Sequence, residues 1–164
     1  MPPRRTPRFL AAAYWALAVV LAFGIGERWR YDDGLRMSAW HNATWSGPPT
    51  YVDLDTRLSN ELIGSVPFSL WPVFSIEWQG YLAVDVPGDY RFALDSDDGS
   101  TLDIDGTRLV DNDGIHRQAR VEATRHLDIG IHAIRARYFQ AGERSRLLVL
   151  WAMPGGAFHP LPPS

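Results

Sequence analysis

Residues 74–81 read FSIEWQGY and open a series of short apolar segments that continues to residue 151. Tyr90, Phe92 and Leu94 alternate with Arg91 and Ala93, as in a strand with one face on a core and the other in water. The pattern predicts short β-strands throughout the region. The other segments are VPGDYRFAL at 86–94, DSDDG at 95–99, LDIDG at 102–106, HAIRARYF at 132–139 and LLVLW at 147–151.

Turn residues separate these segments. Because Asp-Gly tolerates positive φ, it suits two-residue hairpin turns between antiparallel strands. Strands at this spacing predict an all-β fold, an antiparallel β-sandwich or barrel. The joints hold Pro87-Gly88, Asp98-Gly99, Asp105-Gly106 and Asp113-Gly114.

A set of short motifs follows the same order along the chain. They are Phe74…Trp78-x-Gly80-Tyr81, Gly88-x-Tyr90-x-Phe92, Ser96-Asp-Asp-Gly99, Leu102-x-Ile-Asp-Gly106, His116, His132-x-Ile-x-x-x-Tyr138 and Leu150-Trp151. In this order and spacing the motifs resemble the protective-antigen-type domain, named after anthrax toxin protective antigen and found also in flocculins, glycosidases and adhesins. The resemblance implies a mostly non-catalytic β-sandwich or barrel domain over residues 34–160.

Composition and missing motifs narrow the function classes. The chain has 164 residues, enough for one domain of ordinary size, and a formal net charge of −3 that gives no reason to expect nucleic acid. It has no cysteine, which removes disulfides, thiolate metal sites and cysteine nucleophiles. Nucleophile-elbow, zinc-protease and phosphate-loop motifs are absent as well, so we expect no enzyme activity.

The N-terminal segment predicts a membrane anchor. Residues 1–8 form a basic tail, and residues 9–26 carry no charge. A helix of that length spans roughly 27 Å at about 1.5 Å per residue, close to the thickness of a hydrocarbon core. A cleaved signal peptide is the alternative, since Ala16-Leu-Ala18 is a small-x-small site.

The predicted anchor also suggests an orientation and a packing surface. The two flanks of the anchor carry equal numbers of arginines, so the arginine count does not decide the orientation. A tail of only eight residues is not expected to be translocated, so we place that tail in the cytoplasm. The β domain then lies outside the cytoplasmic membrane, periplasmic or extracellular, after a linker at residues 27–33 and before a tail at 161–164. Ala12, Ala16 and Gly24 are small enough to let the helix pack closely against another in lipid.

The turn between residues 95 and 99 is the candidate metal site. Aspartates crowd the region up to residue 113, and calcium prefers such hard oxygen ligands. In sugar-binding members of the resembled family, paired aspartates of an Asp-Asp-Gly turn hold calcium, which implies Asp97 and Asp98 here. Gln140 stands where those members have an asparagine. The alternative is a turn whose carboxylates cap backbone amides.

Two further groups of residues are candidates for contact with a glycan or a protein partner. Trp40, Trp45 and Trp71 lie in a less regular part of the chain, where exposed rings could stack on sugars or anchor a partner, or else fill a core. Arg135 and Arg137 fall on the alternate face of a late strand, which is either a solvated strand face or a docking surface.

These observations predict a non-catalytic, single-pass membrane protein with an extracytoplasmic β domain. We expect it to act as a structural or accessory subunit that docks on a larger bacterial membrane protein complex, with the lipid bilayer as its other contact. The alternative is a calcium-dependent, adhesin-like carbohydrate-binding module anchored in the membrane. No cofactor is expected apart from calcium in that alternative.

Overall fold

The computed structural model describes residues 34–55, 58, 72–142 and 145–161. In this part of the chain no helix is long and apolar enough to cross a membrane. The predicted anchor at 9–26 and the linker at 27–33 lie outside it. The described residues form ten strands: β1 Leu35–Trp40, β2 Tyr51–Asp55, β3 Phe74–Val84, β4 Gly88–Asp97, β5 Ser100–Ile104, β6 Thr107–Asn112, β7 Ala119–Leu127, β8 Gly130–Gln140, β9 Arg146–Ala152 and β10 His159–Pro160.

The strands build two antiparallel sheets. One has six strands in the order β2-β1-β3-β8-β5-β6, and the other has four in the order β10-β9-β4-β7. An apolar cluster of described residues draws its side chains from both sheets. The fold is therefore an all-β antiparallel sandwich, which confirms the predicted β-class.

The predicted Asp-Gly turns connect strands in two different ways. Asp105 and Gly106 have φ values of 49° and 74° and close a two-residue hairpin between β5 and β6. Asp98 and Gly99 also separate consecutive strands, but β4 and β5 belong to different sheets, so this turn is a crossing and not the expected hairpin. A Cβ atom on Gly99 would approach a ring carbon of Phe139 to 2.3 Å, so the crossing is packed too closely for a larger residue.

The predicted inward face forms the core. Trp78, Tyr90, Phe92 and Tyr138 are at most 1% exposed, as is Ile104. Their burial follows from period-two alternation on strands whose inner faces meet the opposite sheet. Trp151 is only partly buried, and the ring of Tyr90 stacks on it, with 5.5 Å between centroids.

Candidate functional site

The turn at residues 97–99 lies where β4 crosses to β5, and Asp98 ties it to two other loops. Its Oδ1 accepts the backbone N–H of His116 at 3.2 Å, and its Oδ2 accepts that of Ala141 at 2.9 Å. The Asp98 side chain is buried. Two backbone amides from distant parts of the chain are thus satisfied by one carboxylate, as the capping interpretation predicted for this residue.

Asp97 differs from its neighbour. Its side chain is only partly buried, and its carboxylate makes no hydrogen bond or ion pair with any other described residue. Its backbone carbonyl oxygen accepts the hydroxyl of Tyr138 at 2.6 Å, and the peptide bond between Asp97 and Asp98 is cis. The turn therefore presents one carboxylate that the described structure does not use.

Gln140 reaches this turn through Tyr138. Its side chain is buried, and its Oε1 lies 2.6 Å from the Tyr138 hydroxyl oxygen. The backbone N–H of Arg146 donates to the same hydroxyl at 3.1 Å. Burial raises the pKa of the Tyr138 phenol well above its usual range, so the hydroxyl keeps its proton and remains a donor. Tyr138 was not among the predicted site residues, because alternation along a strand indicates burial but not the partners of a hydroxyl.

These side chains provide the oxygen ligands that calcium prefers, namely two carboxylates and one amide. Their number falls short, since calcium takes about six to eight oxygens. Among the residues that the structure describes, no group of three His, Cys, Asp or Glu side chains is placed to hold a metal ion. Both Asp98 carboxylate oxygens and the Gln140 amide oxygen already accept hydrogen bonds, so of these three side chains only Asp97 has a carboxylate not bonded to another described residue.

A histidine beside the turn contacts two backbone carbonyl oxygens. The Nε2 atom of His116 lies 3.0 Å from the carbonyl oxygen of Asn112, and its Nδ1 lies 2.8 Å from that of Arg117. Only the doubly protonated ring can donate to both oxygens. The contact with Asn112 is the main cause that raises the pKa of His116, and the charges of Asp98 and Asp97 raise it further.

Two of the three candidate tryptophans, Trp40 and Trp45, make hydrogen bonds that stabilise the loop between β1 and β2. The indole N–H of Trp40 donates to the carbonyl oxygen of Gly47 at 2.9 Å, and that of Trp45 donates to Ile76 at 3.0 Å. Trp45 is partly buried and meets Phe139 edge to face, with 6.0 Å between centroids. Trp71 lies outside the described residues, as do Ala12, Ala16 and Gly24 of the predicted anchor.

The two candidate arginines lie on the outer face of the six-stranded sheet and are ion-paired there. Arg137 lies opposite Glu77 in the β3–β8 pair, and its Nε donates to a Glu77 carboxylate oxygen at 2.5 Å. Arg135 lies opposite Asp103 in the β5–β8 pair, with 2.6 Å between its Nη2 and the carboxylate. Such cross-strand pairs neutralise much of the arginine face that the sequence suggested for docking.

Asp103 receives a second guanidinium. Arg108 Nε lies 2.5 Å from its Oδ1. Burial acts to raise the pKa of Asp103, but the hydrogen bonds from Arg108 and Arg135 outweigh it and hold the pKa below its usual range. Asp103 is therefore an anion shared between two cations.

A family model of the PA14 domain matches residues 69–162, more than half of the chain. The chain belongs to the PA14 domain family. The matched range contains the 97–99 turn, Tyr138 and Gln140. A search of curated protein sequences gave no match.

Solved structures show the same PA14 fold. An anti-sigma factor domain-containing protein superposes with a TM-score of 0.71 at 19% identity, over 80% of this chain and 46% of that one. The PA14 domain of the antifreeze protein MpAFP gives 0.68 at 16% identity, over 79% and 87%. The PA14 sugar-binding domain of an RTX adhesin gives 0.65 at 16% identity, over 78% and 94%. The chain thus spans less than half the length of the first of these proteins.

Proposed function

We propose that the β domain is a non-catalytic carbohydrate-binding module whose binding surface is the loop end around Asp97 and Asp98. The observation that carries the proposal is the Asp97 carboxylate, partly buried yet without a partner among the described residues. A carboxylate in this position can accept hydrogen bonds from sugar hydroxyls or ligate a cation. The RTX adhesin domain of the same fold is a sugar-binding domain, which supports this choice of ligand.

The surroundings of Asp97 suit recognition because they are fixed in advance. Asp98 joins the turn to the loops that contain His116 and Ala141, and Tyr138 bonds the backbone of Asp97 itself. A preorganised site spends less binding free energy on ordering its own groups when the ligand arrives. We therefore expect recognition to depend on this turn more than on the flanking loops.

Asp97, Asp98 and Gln140 are the residues that would hold calcium at this end. When bound, the ion would supply positive charge to the oxygens of a sugar. Asp98 already accepts two backbone amides, and the Gln140 amide is engaged by Tyr138. Because Asp98 and Gln140 already make hydrogen bonds that position the turn, we expect calcium to bind weakly.

The module would stand outside the cytoplasmic membrane, held by the uncharged segment at residues 9–26 with its N-terminal tail in the cytoplasm. Support for this placement comes from the sequence: eighteen uncharged residues are about long enough to span a hydrocarbon core. An anchor of this kind would keep the β domain close to the membrane surface.

A second candidate function is a structural subunit that docks on a larger membrane complex. The same uncharged segment favours it, because Ala12, Ala16 and Gly24 could pack closely against a neighbouring helix. The β domain supports it less, since Arg135 and Arg137 are ion-paired within the sheet and the indoles of Trp40 and Trp45 bond the domain's own backbone.

A glycan array separates these functions. The full-length chain, purified in mild detergent, is applied with calcium at about 1 mM, in the range of extracellular calcium modules. We expect binding to a subset of glycans that Asp97→Asn abolishes. Asp85→Asn is the matched control, because this exposed aspartate precedes β4 whereas Asp97 ends it.

Two results would reject carbohydrate binding at the turn. One is an array without signal. The other is a signal that Asp97→Asn and Asp85→Asn leave equally intact. Co-purification of a stable set of membrane proteins from gently solubilised membranes, lost when residues 1–26 are deleted, would instead favour the docking subunit.

A further inference from the structure

The outer face of the six-stranded sheet contains a groove that is separate from the 97–99 turn. Its volume is about 550 Å³, within the range of about 300–1,000 Å³ found for small-molecule sites. It crosses strands in the middle of the sheet and shares no residue with the turn. Its lining includes Arg36, Gln79, Tyr81, Asp103, Ala133 and Arg135.

The charges in the groove do not balance. Among the described residues that line it, Asp103 is the only acid, and its carboxylate is already bonded by Arg135 and by Arg108. Arg36 lies on β1, and its guanidinium makes no hydrogen bond or ion pair with any other residue that the structure describes. The Arg36 guanidinium therefore lies at the groove without an anionic partner among the described residues. Its five N–H donors lie in one plane, a geometry that suits a carboxylate.

Beside the arginine the groove offers an aromatic surface and an amide. Tyr81 is 63% exposed, and the neighbouring Ala133 contributes an apolar surface. The Nε2 of Gln79 donates to Glu77, which leaves the amide oxygen of Gln79 as an acceptor for a hydroxyl. An aromatic face next to an amide and a cation can receive the apolar face, the hydroxyls and the acid group of one sugar ring.

We propose that this groove binds a carboxylate-bearing sugar, such as a uronic acid unit of an acidic polysaccharide. Its carboxylate pairs with Arg36, its ring lies on Tyr81, and Gln79 accepts a hydroxyl. An extended acidic peptide fits less well, because β1, β3 and β8 each have a neighbour on both sides and offer no open backbone edge for strand addition.

The test uses the full-length chain in mild detergent and titration calorimetry with trigalacturonate as the probe. EDTA is present throughout, so any calcium site at the 97–99 turn is empty. We expect trigalacturonate to bind, and its uncharged methyl ester to bind at least about tenfold more weakly. Arg36→Gln and Tyr81→Ala should each weaken trigalacturonate binding about tenfold.

Two control variants show where the probe binds. Arg117→Gln makes the same change of charge at an exposed arginine in the loop between β6 and β7, and it should leave the affinity unchanged. Asp97→Asn should leave it unchanged too, which separates this groove from the proposed carbohydrate site. Thermal unfolding of each variant verifies that it is folded.

Three results would overturn the groove proposal. One is the absence of any heat of binding when trigalacturonate is added to the folded protein. Another is an Arg36→Gln variant that binds trigalacturonate as tightly as Arg117→Gln does. The third is hexaglutamate that binds as tightly as trigalacturonate and loses affinity in the same variants, which would assign the groove to an acidic peptide.

Discussion

The carboxylate of Asp98 accepts the backbone N–H of Ala141 at 2.9 Å, from a residue 43 positions further along the chain. This bond holds the crossing between β4 and β5 against the end of β8. Because the same carboxylate also accepts the N–H of His116, three separate loops depend on one side chain. The end of the sandwich that we propose for binding is thus organised by a residue that is itself buried.

Removing that carboxylate should destabilise the domain. Asp98→Ala leaves two backbone N–H groups without their acceptor, and one buried unsatisfied donor costs about 1–3 kcal/mol. Asp98→Asn should cost less, because the amide keeps one acceptor oxygen. Chemical denaturation measures both changes, with Asp85→Asn as an exposed control expected within about 0.5 kcal/mol of wild type. An Asp98→Ala protein as stable as the control would contradict the bonding described for the turn.

Calcium should bind weakly. Asp97 has the one carboxylate of this site that is not bonded to another described residue, since Asp98 and Gln140 already accept hydrogen bonds, and calcium affinity follows the number of charged ligands and the rigidity of the site. We expect a dissociation constant of about 0.1–1 mM, as in extracellular modules. Titration calorimetry measures it. Micromolar affinity that Asp98→Ala abolishes would show that the site has further ligands.

Truncation of a core aromatic should be costly. Phe92 is fully buried in β4, and Phe→Ala changes at such positions cost about 3–5 kcal/mol through lost burial and the cavity left behind. Ile131, on the outer face of β8, is 68% exposed, so Ile131→Ala should cost far less. Chemical denaturation of both variants compares them; equal losses of stability would mean that the assigned inner and outer faces are wrong.

A histidine–aspartate pair should make stability depend on pH. The carbonyl of Asp128, followed by the carboxylate of Asp105, raises the pKa of His132, and the contact with His132 lowers the pKa of Asp105. A raised histidine pKa stabilises the fold fully below about pH 6.5, the ordinary value, and this contribution is lost as pH rises through the folded value. The aspartate contribution is present above about pH 4 and is lost on acidification.

Thermal unfolding can test this window. The wild type should exceed His132→Gln in melting temperature by more at about pH 5.5 than at about pH 8.5. Asp105→Asn keeps an acceptor for the Ala133 N–H but removes the charge, so it should reduce the same difference. A gap between wild type and His132→Gln that is constant with pH would argue against a charged His132.

The membrane anchor remains a prediction from residues 9–26. Protease added outside the inner membrane should digest the β domain and leave the anchor, if the N-terminal tail is cytoplasmic. Immunoblots against tags at each end of the chain report which part survives. Protection of the β domain until the membrane is lysed would reverse the orientation.

Local sequence was sufficient for the inner and outer faces of the strands it predicted between residues 74 and 151, but β1 and β2 lie outside that region. Tyr90 and Phe92 are buried and Arg91 is exposed, as their alternation predicted, because successive side chains of any strand point to opposite sides. The Asp105-Gly106 hairpin was also predictable from the sequence, since positive φ at both residues is a local property of this turn type.

The sequence by itself determined an all-β chain with a known inner face, but only the tertiary structure decided what its polar groups do. Alternation specifies the side of a sheet and not the neighbouring strand, so it could not show that Asp98-Gly99 crosses between sheets. Nor could it pair Arg137 with Glu77, 60 positions away, and thereby turn a suggested docking face into a neutralised one. These contacts depend on strand register between distant segments, which a local pattern does not encode.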